Sequence, residues 1–452
     1  AGKEDSARIP INGNIELTAN KGLFEVARAE FSTGASMLTA SGQFDLNNDD
    51  SNLRVALNST DAVEVQRLAE VTEISPDLDR QFKSMQMKFA GKLSFDGTVT
   101  GNLFDPVVAG NASVESLIMR NRELGSVATK IVVNPAGVEL RNGKLNERLG
   151  GTADFEILIP DGVENGVTVN ADLRGIDAGN LLAALPVDLP TRISDLNGKT
   201  TGKVNISGLP DNASGSVDLS ALKGTIAGQS FDDLKVKAVF QGTGIIIETG
   251  EMRVGEGLVT AKGTYDRKST AFDLDLTGKQ VPLPLVLAFL PPNDNIPVIV
   301  GAVDVKAKAI GIADISSTYD VQFDGVANGV TVGENAIGNV TFNGKTVDQV
   351  LTANLTANLE GSTQVINGTL RFSDETLPFS VTTVFDQSPL SPYLAFVPQL
   401  KGVPITGTGT GKIDLEGKLR ARNSKGELVM DTSNVSGSAQ FSQLALTVQD
   451  TP

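Results

Sequence analysis

The pentapeptide Leu182-Ala183-Ala184-Leu185-Pro186 returns as Leu287-Ala288-Phe289-Leu290-Pro291 and again as Leu394-Ala395-Phe396-Val397-Pro398. The copies stand 105 and 107 positions apart, and a fainter one, Leu68-Ala69-Glu70-Val71, lies 114 positions before the first. Each is followed by a glycine-bounded apolar/polar alternation: Gly91–Gly97, Gly202–Gly208, Gly301–Lys306 and Gly411–Gly417. Repetition at a near-constant period constrains the fold before any domain count, because repeats stack on their neighbours and share one structure. The sequence therefore predicts one array in which a short helix restarts a sheet four times.

Composition narrows what such an array is made of. Forty-seven glycines, three tyrosines, no tryptophan and 40% hydrophobic residues suit many short strands and turns rather than one dense core. The formal charge is −16, with acids scattered singly and no basic run to follow a phosphate backbone, so nucleic acid is not an expected partner. Without cysteine there is neither a disulfide frame nor a thiolate zinc site, and cysteine usage leaves the compartment open. Without histidine or cysteine the commonest proton shuttle and the strongest nucleophile are missing, and no spacing singles out a carboxylate pair; the chain does not read as an enzyme. Gly198-Lys199-Thr200 and Gly344-Lys345-Thr346 lack the first glycine of a phosphate loop, where Ile193 and Asn339 stand. Asn47-Asn48-Asp49-Asp50 has oxygen ligands suited to calcium but not the spacing of a calcium loop, and reads as a hairpin turn. Neither a cofactor nor a metal is expected.

Along the chain, period-two alternation predicts strands throughout. Residues 14–58 give six short segments: Ile15 with Leu17, Leu23–Val26, Phe31, Met37–Ala40, Phe44 with Leu46, and Leu53–Leu57. Asp61 caps a predicted helix, Ala62–Val71, with Val63, Leu68 and Val71 on its apolar edge and Glu64, Arg67 and Glu70 in water. Strands follow near 88–100, 108–118, 126–134, 137–145, 152–159 and 167–174. The plan repeats at 201–207, 214–220, 231–240, 244–250, 257–265 and 270–277, then at 301–311, 317–326, 336–343, 349–359, 364–373 and 378–386. Connections of two to eight residues favour antiparallel meanders, since a parallel pair needs a long crossover. The expected parts are a partial repeat over 1–86, repeats over 87–190, 191–296 and 297–400, and a truncated repeat over 401–452, all in one continuous array.

Alternation gives each strand one apolar and one polar face. Six strands per repeat expose far more apolar face than a helix of about seven residues can cover. Either the sheet closes on itself as a solenoid core, or the face stays partly open as a groove that another molecule occupies.

The pattern Gly-x-Val-x-Ile-x-Gly, then a proline, then Gly-x-Val-x-Leu is visible in Gly202–Gly208, Pro210 and Gly215–Leu219, and in Gly91–Gly101, Pro106 and Gly110–Val114. Gly257–Asp266 matches the earlier Met37–Phe44. In these phrases, over nearly its whole length, the chain resembles the TamB and AsmA-like proteins of the bacterial envelope, within the wider class of bridge-like lipid transfer proteins. The resemblance implies an all-β fold: an elongated, repeating antiparallel sheet curled into a U-shaped, taco-like groove with one short helix per repeat. It implies that the groove conducts phospholipid acyl chains between the inner and outer membranes of a diderm bacterium, with a role in outer-membrane assembly. The setting is then periplasmic, with the full-length protein anchored in the inner membrane. Inner- and outer-membrane proteins would be reached through segments beyond this chain, which has no apolar run of ~18 residues to span a membrane and stops at Pro452 after about half a repeat.

On that reading the groove-lining residues are Val204, Ile206, Val217, Leu219, Val236, Ala238 and Phe240 in the third repeat, and Val303, Val305, Val321 and Phe323 in the fourth. All are aliphatic or phenylalanine, giving dispersion contacts without hydrogen-bond demands. About twenty-four strands at ~4.8 Å each would make a rod of roughly 115 Å. The competing reading is a structural or adhesive β-solenoid with a closed apolar core.

Overall fold

A computed structural model of the protein describes residues 9–46, 48, 50–72, 86–102, 105–161, 166–183, 196–209, 211–288, 297–313, 315–359, 361–390, 405–424, 426, 428–431 and 435–448. The described part is all-β: 24 strands belong to open antiparallel sheet, and two more form a separate ribbon. The chain divides into two compact units, residues 1–222 with 240–242, and residues 223–239 with 243–452.

In the first unit the strands are β1 (Asn12–Asn20), β2 (Leu23–Ser32), β3 (Ser36–Asp45), β4 (Ser51–Ser59), β5 (Met87–Asn102), β6 (Asp105–Met119), β7 (Arg122–Asn134), β8 (Gly137–Glu147), β9 (Thr152–Pro160), β10 (Val167–Asp177) and β11 (Asn197–Leu209). Each pairs antiparallel with the next in chain order. Helix α1 (Ala62–Thr72) follows β4, and α2 (Ala178–Ala183) follows β10. β12 (Ala213–Ile226) and β13 (Gln229–Gly242) fall across the division between the units.

The second unit continues with β14 (Gly244–Val254), β15 (Gly257–Asp266), β16 (Ala271–Pro282), helix α3 (Leu283–Leu287), β17 (Ile299–Ile312), β18 (Ile315–Val332), β19 (Asn335–Val347), β20 (Val350–Leu359), β21 (Ser362–Arg371), β22 (Pro378–Pro389) and β23 (Ile405–Lys418). β24 (Arg420–Arg422) and β25 (Leu428–Met430) form the ribbon, and β26 (Val435–Val448) pairs with β23. From β14 to β23 every strand again pairs antiparallel with the next.

Residues 14–58 form four strands, not six segments. Phe31 continues β2, where a register shift between Val26 and Ala29 breaks the alternation without ending the strand, and Phe44 continues β3 on the face of Leu38, Ala40 and Gly42. The first helix starts as expected: the Asp61 carboxylate accepts the Val63 N–H at 3.0 Å. Its orientation differs from expectation. Ala62 is fully buried and Val63 is 44% exposed, and Gln66, one turn on, bonds both Met87 O (3.3 Å) and Phe89 N (3.1 Å) of β5. Glu64 does not simply face water, since it accepts hydrogen bonds from Thr33 and Ser36 in the β2–β3 turn. Those hydroxyls hold its carboxyl below the usual range. Of the repeated pentapeptides, Leu182-Ala183 lies in α2 and Leu287 in α3; residues 184–186, 289–291 and 394–398 lie outside the described residues.

The strand before each later copy of the pentapeptide carries the same irregularity. Register shifts fall between Leu173 and Ile176 in β10, Gly278 and Val281 in β16, and Phe385 and Ser388 in β22. Inside each shift one residue takes positive φ: Gly175 (64°), Gln280 (49°) and Gln387 (43°). Its N–H donates to a side chain of the following strand, at 3.1 Å to Thr201 Oγ1, 2.7 Å to Asp304 Oδ1 and 2.9 Å to Thr410 Oγ1. Each bulge re-aims the residue after it inward: Ile176 and Val281 are 3% exposed and Ser388 is fully buried.

Candidate functional site: the apolar face of the sheet

Directly opposed residues of an antiparallel pair share a face, so the registers show what each face presents. In the first unit one row crosses eleven strands as Ile15, Ala29, Ala40, Val55, Gly97, Gly110, Ile131, Leu140, Ile157, Val169 and Ile206. In the second unit a row runs from β14 to β26 as Met252, Val259, Gly278, Val305, Gly325, Phe342, Leu355, Ile366, Thr383, Ile413 and Ala439. Displaced by one residue, the opposite face of the second unit reads Glu251, Thr260, Thr277, Lys306, Asp324, Asn343, Asn354, Asn367, Thr382, Asp414 and Ser438. One face is almost wholly apolar; the other has no apolar side chain in that row.

The polar face is an ordinary solvated surface. Its ion pairs, such as Lys308–Asp273 (3.2 Å) and Lys412–Asp414 (2.8 Å), involve exposed side chains and add little stability. The apolar face is kept low by glycine. Gly325 and Gly344 stand opposite Phe342 and Phe323, and a Cβ on either would meet the ring at 2.6 or 2.4 Å. The rings, with centroids 6.1 Å apart, lie across the glycines instead of standing up from the sheet.

Cover is local. In the first unit α2 packs on β7, β10 and β11, over a cluster of Ala153, Leu173 and Ile176 with Leu181, Val204 and Leu219 against it. In the second unit α3 packs on β16 and β17, and Leu285 closes a cluster of Val281, Val303, Ala327 and Val330. Val305 and Phe342 pack against that cluster but are only half-buried, as are Phe323, Leu355, Ile366 and Ile413 beyond it. Among the described residues neither unit has a second large sheet or a long helix to cover them. At the strand ends opposite α3, Tyr319 meets Phe272 and Phe372 edge-on at 5.9 and 5.6 Å. There Ser316 Oγ also donates to Phe372 O at 3.0 Å.

The sequence-derived lining residues sort as follows. Val204 and Ile206 oppose Ala171 and Val169 on the apolar face of the first unit. Leu219 shares that face, since a Cβ on Gly202 would meet its Cα at 2.9 Å. Val217 stands two residues before it and is half-buried. In the second unit Val303, Val305, Val321 and Phe323 oppose Ala327, Gly325, Ala309 and Ala307, all on the apolar face. Val303 belongs to the sealed cluster under α3, whereas the other three lie outside its buried set. On β13, Ala238 is buried and Val236 and Phe240 are half-buried. Sequence reasoning missed Phe342, Leu355, Ile366 and Ile413, although the alternation Leu351–Leu359 already carried the signal for Leu355.

Among the described residues no group of acidic side chains is arranged to hold a metal ion, and no helix is long and apolar enough to cross a membrane. Compared with known proteins, the chain matches no family model, no curated protein and no solved structure.

Proposed function

We propose that this protein holds lipid acyl chains against the apolar face of its sheet and lets them pass along it. The supporting observation is the contrast between faces: in the second unit eleven neighbouring strands place aliphatic, methionine, phenylalanine or glycine residues on one side, with a single threonine among them, while a matched row opposite is polar. A half-buried apolar surface of that extent with only local cover calls for an apolar occupant. Acyl chains suit it, because methylene against leucine, valine and phenylalanine needs contact but no hydrogen bonds. In the setting implied by the TamB and AsmA-like resemblance, the occupant is phospholipid moving between the inner and outer membranes of a diderm bacterium. The chain then works in the periplasm, as part of an anchored protein that serves outer-membrane assembly.

Photoreactive amino acids placed singly test this. At Phe323 or Leu355 on the apolar face, irradiation is expected to capture phospholipid; at Asn354, one residue away on the polar face, it is not. Equal capture at Asn354 and Leu355, or capture at neither, contradicts the reading.

A further inference from the structure

The apolar face of the second unit ends differently at its two strand ends. Where α3 sits, Val281, Leu285, Val303, Ala327 and Val330 are all 3 to 6% exposed and offer no side-chain polar atom. The described turns at that end carry Glu256 and Glu334, and the cations nearest them, Arg253 and Lys279, stand inside β14 and β16. At the opposite end the face finishes in Tyr265 and Tyr319, each on the apolar side, opposite Phe272 and over Gly311 respectively. Tyrosine suits a border where a ring meets hydrocarbon and a hydroxyl meets water.

Charge at the tyrosine end differs too. Arg267 and Lys268 follow Tyr265, Arg371 ends β21, and Lys418 ends β23. Several acids beside them are already engaged. Asp266 accepts from the N–H groups of Lys268 and Ser269 (3.0 and 2.6 Å) and from Thr243. Asp374 accepts from Thr376 N and Oγ1 (2.8 and 2.7 Å) and also attracts Lys418 and Arg371, and Glu375 pairs with Arg422. From Phe272 to Val281 the face runs about 30 Å along β16, at ~3.4 Å per residue. That matches the hydrocarbon thickness of a bilayer, so one tail starting at the tyrosines would reach at least mid-face, near Val305.

Resting on the acyl-chain reading above, we infer that the second unit binds its lipid with a fixed polarity. The polar headgroup lies at the Tyr265 and Tyr319 end and the tail runs along the strands toward Leu285. The ligand class is an amphiphile with a single polar end, such as a phospholipid, whose phosphate is met by Lys268 at the β15–β16 turn.

Two phosphatidylethanolamine probes test the polarity on the unaltered protein, one with a diazirine at the tail terminus and one with it in the headgroup, each delivered from phosphatidylcholine vesicles. After irradiation, labelled peptides are mapped by mass spectrometry. The headgroup probe is expected to label the segments holding Tyr265 and Tyr319, and the tail probe the mid-face segments around Val305 and Gly278, short of the sealed Leu285, so that the labelling ratio inverts between the tyrosine end and the part of the face toward α3. Equal labelling at both ends, or the reverse order, overturns the polarity while leaving the acyl-chain reading in place. Labelling of the apolar face by neither probe overturns both.

Discussion

At the scale of single residues, two features decide whether the sheet keeps a low apolar surface and closed turns. Gly325 has room only for hydrogen: a Cβ there would sit 2.3 Å from Asp304 O and 2.6 Å from the Phe342 ring. Gly325→Ala should therefore destabilise the protein by about 1–3 kcal/mol through overpacking, read as a lower urea midpoint with an unchanged m-value. Asp266 closes the β15–β16 turn, and the donors around its carboxylate hold it far below the usual carboxyl range, the Ser269 N–H most of all. A carboxyl whose folded pKa is depressed contributes stability above its unfolded value near ~4 and loses it as the pH falls toward the folded one. Asp266→Asn should thus lower the melting temperature at pH 7, and the gap from the unaltered protein should narrow below about pH 4. A gap independent of pH would mean the charge is not what holds the turn.

The recurring element is the bulge and its tie to the next strand, with α2 and α3 following the first two. Asp304 is its weakest point, since it accepts the Gln280 N–H at 2.7 Å and also the Asn328 amide at 3.3 Å. Asp304→Ala leaves a bulge N–H without its partner and should cost about 1–3 kcal/mol in urea titration; Lys306→Ala, on the same strand and exposed, should cost far less. This element also marks what the sequence made legible. Alternation at 301–311 or 349–359 announces strands because side chains are read in pairs along one strand, and the pentapeptide announces α2 and α3 because leucines recur beside proline. The bulge stayed hidden, since Gly175, Gln280 and Gln387 share a positive φ that glycine adopts readily and that glutamine does not announce. Their partners Thr201, Asp304 and Thr410 are matched only across a strand boundary. The face of Val303 or Phe323 was legible from period two; the sealing of Val303 under Leu285 was not, because cover depends on where a helix folds back.

For the molecule as a whole, the central claim is that an apolar face with only local protein cover is a lipid surface. The low profile of Phe323 and Phe342, the polar rows behind them and the open strand order all bear on what can lie there, and none requires a protein partner. Native mass spectrometry of the protein purified from bacterial membranes tests this most directly, with the adduct identified by release and fragmentation. The account predicts bound phospholipid, lost from Leu355→Asp while that variant stays folded by circular dichroism, because a half-buried position on an open face lets the carboxylate reach water. A protein that emerges free of lipid, or a Leu355→Asp variant that unfolds as a closed core would, contradicts it.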